Sequence, residues 1–154
     1  MERRVVMIEK NLIKLDLDYE TRADVITRLG QLLHEKDYVK KEFIQAVLDR
    51  EEKHPTGIPA EPAIALPHTS SDLVKRAAIA VAILDKPVEF YQMGGSGERL
   101  NVKIVFMLAI DDPEKHLNYL QRIMDILEDD EALKKLENST TVEDAYKVLS
   151  YINS

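Results

Sequence analysis

The chain has 154 residues, 45% apolar and 32% charged, which is enough for one domain with a substantial core. A net charge of −7 without a basic stripe argues against nucleic-acid binding. No run approaches the ~20 apolar residues of a membrane span, and zero cysteines exclude a disulfide framework and any thiol nucleophile. Met1-Glu2-Arg3-Arg4-Val5 lacks the apolar core of a signal peptide, so the cytoplasm is the expected address. Without repeats, low-complexity segments or linkers, residues 1–154 read as a single domain.

Residues 5–17 mix apolar and polar positions, as a short strand or edge segment does. Thr21 followed by Asp24 resembles a capping arrangement and predicts a helix over roughly 22–35, with Val25, Ile26, Leu29, Leu32 and Leu33 buried. Gly30 weakens that helix, and His34 near its end is expected to be solvated. A second helix is expected over 40–53, with Phe43, Ile44, Val47 and Leu48 on one face and Glu51, Glu52 and Lys53 as a solvated end. Arg50 falls on the apolar side of it, where an arginine either snorkels or meets an anion at the rim of the core.

Proline and glycine make His54-Pro55-Thr56-Gly57-Ile58-Pro59 irregular. The run Ile64-Ala65-Leu66 then reads as a strand that stops at Pro67, leaving His68 near a strand edge or rim. A histidine there can titrate near neutral pH, act as a nucleophile or bind metal; the bland reading is a loop histidine with one satisfied ring nitrogen. Thr69-Ser70-Ser71-Asp72 can open a short helical turn near Leu73, whose N-terminus beside His68 would attract an anion.

Ala77 to Leu84 is almost wholly apolar, as in a central strand covered on both faces. Asp85-Lys86-Pro87 is expected to turn the chain, with Val88-Glu89-Phe90 as a short edge strand. Gly94-Gly95-Ser96-Gly97 is a flexible loop, but without a following Lys-Thr pair or helix it is no phosphate loop. Val102 to Ile110 is a second buried strand. Asp112-Pro113 starts a helix to about residue 128, with Leu117, Leu120, Ile123, Met124 and Leu127 inward and His116 on the same side in the first turn. A short helix over 131–136 and a last one capped by Thr141 and Asp144 complete an α/β sandwich, a mixed β-sheet flanked by α-helices.

Arg50, His68 and His116 therefore fall at element ends. A histidine nucleophile with an arginine and a second histidine donor suits phosphoryl transfer, which needs positioning and charge stabilisation of the equatorial oxygens. Metal binding competes poorly, because the histidines at 34, 54, 68 and 116 lack ligand spacing. No Gly-x-Ser-x-Gly elbow is present.

Several segments resemble one family: Arg50-Glu51, Pro55-Thr56-Gly57, Ile64-Ala65-Leu66-Pro67-His68-Thr69, Ala78-Ile79-Ala80-Val81-Ala82, and Phe106-Met107-Leu108-Ala109-Ile110 followed by His116-Leu117 and Leu120. In that order they resemble the enzyme IIA domain, fructose/mannitol class, of the bacterial phosphoenolpyruvate-dependent sugar phosphotransferase system. The resemblance covers nearly the whole chain. Pro55-Thr56-Gly57 and the glycine loop look most like the galactitol-type branch. It implies a phosphocarrier without cofactor or metal, with His68 as the phosphorylated residue, Arg50 as the active-site arginine and His116 as the second histidine. His68 would receive its phosphoryl group from HPr and pass it to a IIB cysteine, which serves a membrane IIC permease. Lacking a cysteine and a membrane span, this chain would need separate IIB and IIC proteins. The family also implies an alternative, a regulatory phosphoacceptor of the nitrogen-related type whose output is protein binding.

Overall fold

The computed structural model describes residues 8–17 and 19–153. The apolar run beginning near Ala77 becomes a central strand, but that strand continues well past Leu84. It spans Ala78–Tyr91 without a turn, as β4 (after β1, Ile13–Leu17; β2, Gly57–Ile58; and β3, Ala63–Ala65). Its antiparallel register with β5 (Arg99–Ala109) passes from Ile83↔Ile104 to Val88↔Val102. Leu84 to Pro87 thus stand opposite Lys103 alone, so the expected turn at Asp85-Lys86-Pro87 is a bulge. Pro87 has no N–H for a ladder and sits where the ladder is already broken, while Lys103 Nζ donates to the Asp85 carbonyl at 2.8 Å. Val88-Glu89-Phe90 is consequently the outer half of β4 and no separate edge strand. Gly94, Gly95 and Gly97 close the β4–β5 hairpin with φ of 102°, 78° and 79°, a region glycine enters without steric cost.

The five strands lie in the order β1-β4-β5-β3-β2. β1 runs parallel to β4 and β3 parallel to β5, while β4–β5 and β2–β3 are antiparallel. The sheet is therefore mixed, as expected. Strand alternation sorts its two faces. Ala78, Ala80, Ala82 and Leu84 pack with Val25, Ile26, Leu29, Phe43 and Val47 of α1 (Arg22–Glu35) and α2 (Phe43–Lys53). On the other face, Ile79, Val81, Ile83 and Phe106 meet Ile123, Leu133, Leu136 and Leu149. These belong to α3 (Pro113–Glu128), α4 (Asp130–Glu137) and α5 (Val142–Leu149).

The helix starts follow local chemistry. Thr21, Asp112 and Thr141 each accept a backbone N–H, from Asp24, Glu114 and Asp144 at 3.2, 3.0 and 3.1 Å, caps worth about 1 kcal/mol apiece. Gly30 has a packing reason: a Cβ there would lie 2.7 Å from Ile44 Cγ1, so its absence lets α2 seat against α1. α2 itself begins at Phe43 rather than residue 40. Leu117, expected in the core stripe of α3, is 70% exposed. The buried line runs through Tyr119, Ile123 and Ile126, and at 100° per residue Leu117 lies about 120° around the helix from Ile123.

Candidate active site

The chain leaves β3 at Ala65, and the Pro67 carbonyl accepts the Leu108 N–H of β5 at 3.0 Å. Proline thus joins the sheet through its carbonyl, where its nitrogen has nothing to donate. His68 makes one further parallel bridge with Leu108. This holds it past the C-terminal end of β3 and beside that of parallel β5, the end at which open α/β sheets gather their ligands. The ring of His68 is half-buried, and its Nδ1 donates to the Leu66 carbonyl at 2.7 Å. A carbonyl oxygen only accepts, so Nδ1 carries the hydrogen and the neutral ring keeps its lone pair on Nε2.

Arg50 occupies the last turn of α2 and is half-buried. It shares with His68 the wall between two cavities. One, of about 420 Å³, is lined also by Lys53, His54, Gly94 and Gly95. The other, of about 430 Å³, is lined also by Thr69, Ser70, Ser71 and Asp112. Among the described residues, none of the ion pairs takes up the Arg50 guanidinium. The expected helical turn after His68 is a three-residue 3-10 turn, Ser71–Leu73, too short to supply a helix dipole of consequence. The cationic side chains of Arg50 and Lys53 supply the positive lining instead. A nucleophilic ring nitrogen beside such a wall is equipped for transfer of an anionic group.

The structure brings Arg50 and His68 together; for His116 it places the helix turn alone. His116 belongs to the first turn of α3, whose N-cap Asp112 lines the second cavity with His68, and its side chain lies outside the described residues. A larger cavity, of about 670 Å³, lies between α4 and α5. Its lining includes Lys134, Lys135 and Lys147 but no histidine or arginine, so the smaller pair around His68 is the chemically equipped one. Among the described residues, no group of three or more His, Cys, Asp or Glu side chains is placed to hold a metal ion.

Glu51 departs most from expectation. It is 4% exposed rather than solvated, because Phe43, Val47 and Glu51 follow one another at four-residue steps on the inward face. Thr56, 1% exposed, donates to it twice: its N–H to Glu51 Oε2 at 2.7 Å and its hydroxyl to Glu51 Oε1 at 2.8 Å. Burial pushes the Glu51 carboxyl above its ordinary range, while the two Thr56 hydrogen bonds and the nearby charges of Arg22 and Arg50 pull it back down. The four-residue phase was the available signal.

Residues 6–152 match the family described as phosphoenolpyruvate-dependent sugar phosphotransferase system, EIIA 2, and the chain belongs to that family of phosphotransfer proteins. It is 27% identical over 156 residues to an ascorbate-specific PTS system EIIA component of Shigella boydii, covering 100% of this chain and 99% of the relative. A galactitol-specific EIIA component of Escherichia coli is 27% identical over 125 residues, 80% of this chain and 83% of its own length. Enzyme IIAMTL of Escherichia coli, solved as a complex with phosphorylated enzyme IIBMTL, superposes with a TM-score of 0.78 at 24% identity, over 94% of this chain and 99% of that one. The fold is therefore that of the IIA domains. No described helix is long and apolar enough to cross a membrane.

Proposed function

We propose that residues 1–154 act as a single IIA phosphocarrier domain in which His68 is the phosphorylated residue. The observation that carries this reading is the seating of His68: Nδ1–H on the Leu66 carbonyl, with Arg50 beside it on the wall of both cavities. The Nε2 lone pair attacks phosphorus on the phosphohistidine of HPr. A new N–P bond forms as the donor's N–P bond breaks, and that electron pair returns to the donor ring. His68 keeps its Nδ1 hydrogen throughout, and the Leu66 carbonyl stabilises the positive charge that develops on the ring. Arg50 offsets charge on the equatorial oxygens, and His116 supplies a second N–H donor.

Onward transfer runs to a thiolate. A IIB cysteine attacks the phosphorus, the N–P bond of His68 breaks, and its electron pair returns to Nε2. The complex of enzyme IIAMTL with phosphorylated enzyme IIBMTL supports a IIB partner for this fold. The sugar is selected by the permease that IIB serves. Galactitol, expected from the glycine features, stands beside ascorbate among the relatives' specificities, so the proposal is uptake of a sugar or sugar-like acid through a IIC permease.

The test is incubation with phosphoenolpyruvate, enzyme I and HPr, followed by mapping of the label. One acid-labile, alkali-stable phosphate on His68 is expected, and His68→Ala abolishes it while the fold persists. Label retained in folded His68→Ala moves the nucleophile elsewhere, with His116 next in line.

A further inference from the structure

Glu51 and Thr56 are the buried charged or polar residues of the described core, and both lie within one short chain of hydrogen bonds that ends at His68. The β2–β3 hairpin pairs Gly57 with Ala65 and Ile58 with Ile64, so Thr56 stands opposite Leu66 on the next rung. That rung is made by a side chain: the Leu66 N–H donates to Thr56 Oγ1 at 3.1 Å. The same hydroxyl donates to Glu51 Oε1, the Thr56 N–H donates to Glu51 Oε2, and the carbonyl of Leu66 receives His68 Nδ1–H.

We infer that Glu51 and Thr56 are positioning residues for phosphoryl transfer: they fix the residue on whose carbonyl His68 is seated, and so present Nε2, not Nδ1, to the incoming group. This rests on the reading of His68 as the phosphorylated residue. A carboxylate is the side chain the geometry asks for. Two donors of Thr56 converge on two separate oxygens, and a glutamine would answer one of them with its own N–H₂. A buried carboxyl is costly unless its hydrogen bonds are complete, and burial does push this one above its ordinary range. The cost is set against a hydroxyl locked in one orientation, with its lone pair toward Leu66. Glu51 also follows Arg50 directly, so the same contact holds the helix end from which the guanidinium reaches the cavities.

The test reads the ring before any phosphate is added. In wild-type protein, ¹⁵N shifts of the His68 ring are expected to report the Nδ1–H tautomer. Thr56→Val, which removes the hydroxyl but keeps the shape, is expected to give mixed tautomers and labelling about 10²-fold slower, the cost of a small misplacement at a reacting centre. Thr56→Ser restores both. Glu51→Gln, the second variant, shifts the tautomer mixture in the same direction with amide dispersion unchanged, and decides the matter if the valine variant fails to fold. A folded Thr56→Val or Glu51→Gln protein with the wild-type tautomer and labelling rate overturns the inference, as does a serine variant that behaves like valine. If wild-type protein is never labelled, the phosphocarrier reading fails, while the tautomer comparison still decides whether the clasp positions His68.

Discussion

A methyl group added at Gly57 is the most discriminating small change to this site. The Cβ of Gly57→Ala would stand 2.5 Å from the Tyr91 carbonyl oxygen, 3.1 Å from its carbonyl carbon and 3.2 Å from Leu100 Cδ1. The first two contacts are backbone, which cannot rotate aside as a side chain does. β2 must therefore move off the β4–β5 hairpin, stretching the 2.8 Å hydrogen bond from the Met93 N–H to the Gly57 carbonyl. Overpacking of this kind costs about 1–3 kcal/mol, offset by about 0.4–1 kcal/mol from the lower entropy of the unfolded alanine chain. With the middle of each range the net loss is about 1.3 kcal/mol, a Tm lower by about 3–5 °C for a chain of this size. Gly57 also joins Thr56 to the hairpin whose loop lines the His68 cavity, so labelling from HPr should slow more than the folded fraction accounts for. Thermal melting and initial labelling rates, measured side by side, provide the assay. A Gly57→Ala protein that melts within about 1 °C of wild type and labels normally would refute the reasoning.

Arg50→Ala is expected to slow labelling by ~10- to 1000-fold, as loss of a charge donor does elsewhere, with a stability change of no more than about 1 kcal/mol because the side chain is only half-buried. Normal transfer with a much earlier melt would make Arg50 structural. His116→Gln is expected to keep part of the onward transfer to a IIB cysteine and His116→Ala to lose more; equal, near-wild-type rates in both folded variants remove His116 from the site. The Glu51 carboxyl is held above its ordinary 4.5, so its contribution to stability is fully present below that value and is lost as pH rises through the raised pKa. The stability gap between wild type and Glu51→Gln, read from urea midpoints, should therefore narrow from about pH 4 to about pH 8, and a gap that widens contradicts the assigned direction.

Legible in the sequence is what depends on neighbours along the chain. Thr21, Asp112-Pro113 and Thr141 announce their helices because a cap is a contact within four residues. Ala78 to Leu84 announces a buried strand because both faces of it are apolar. Pro87 misleads for the complementary reason: whether a proline turns a chain or sits in a bulge depends on the partner strand, and β5 alone decides it. Leu117 misleads because the centre of a helix stripe is set by the sheet the helix meets, not by the list of its apolar residues. Glu51 was hidden by its charge, which outweighed a phase that already pointed inward. The proximity of Arg50 to His68 was suggested by helix phase and by family resemblance, whereas the roles of Lys53, His54 and Gly94 in lining the cavity come from a hairpin packed against a helix end. The ring nitrogen left for chemistry depends on one backbone carbonyl, and no spacing of residues encodes it.

Under the proposed function, His68 must satisfy two demands that ordinarily oppose each other. A carrier that meets a histidine donor and then a cysteine acceptor needs its nucleophile exposed, but exposed side chains wander among rotamers. The fold separates the demands between the two ring nitrogens. Nδ1 is tied to Leu66, and Leu66 is tied through Thr56 to Glu51 in the core. Pro67 adds a second tie, its carbonyl on Leu108 of β5. His68 lines a cavity on each flank, one bounded by the hairpin loop and one by the start of α3. A partner approaching from either flank then meets the same nitrogen in the same orientation, with Arg50 on the shared wall, and no rearrangement of the ring has to separate acceptance of the phosphoryl group from its release.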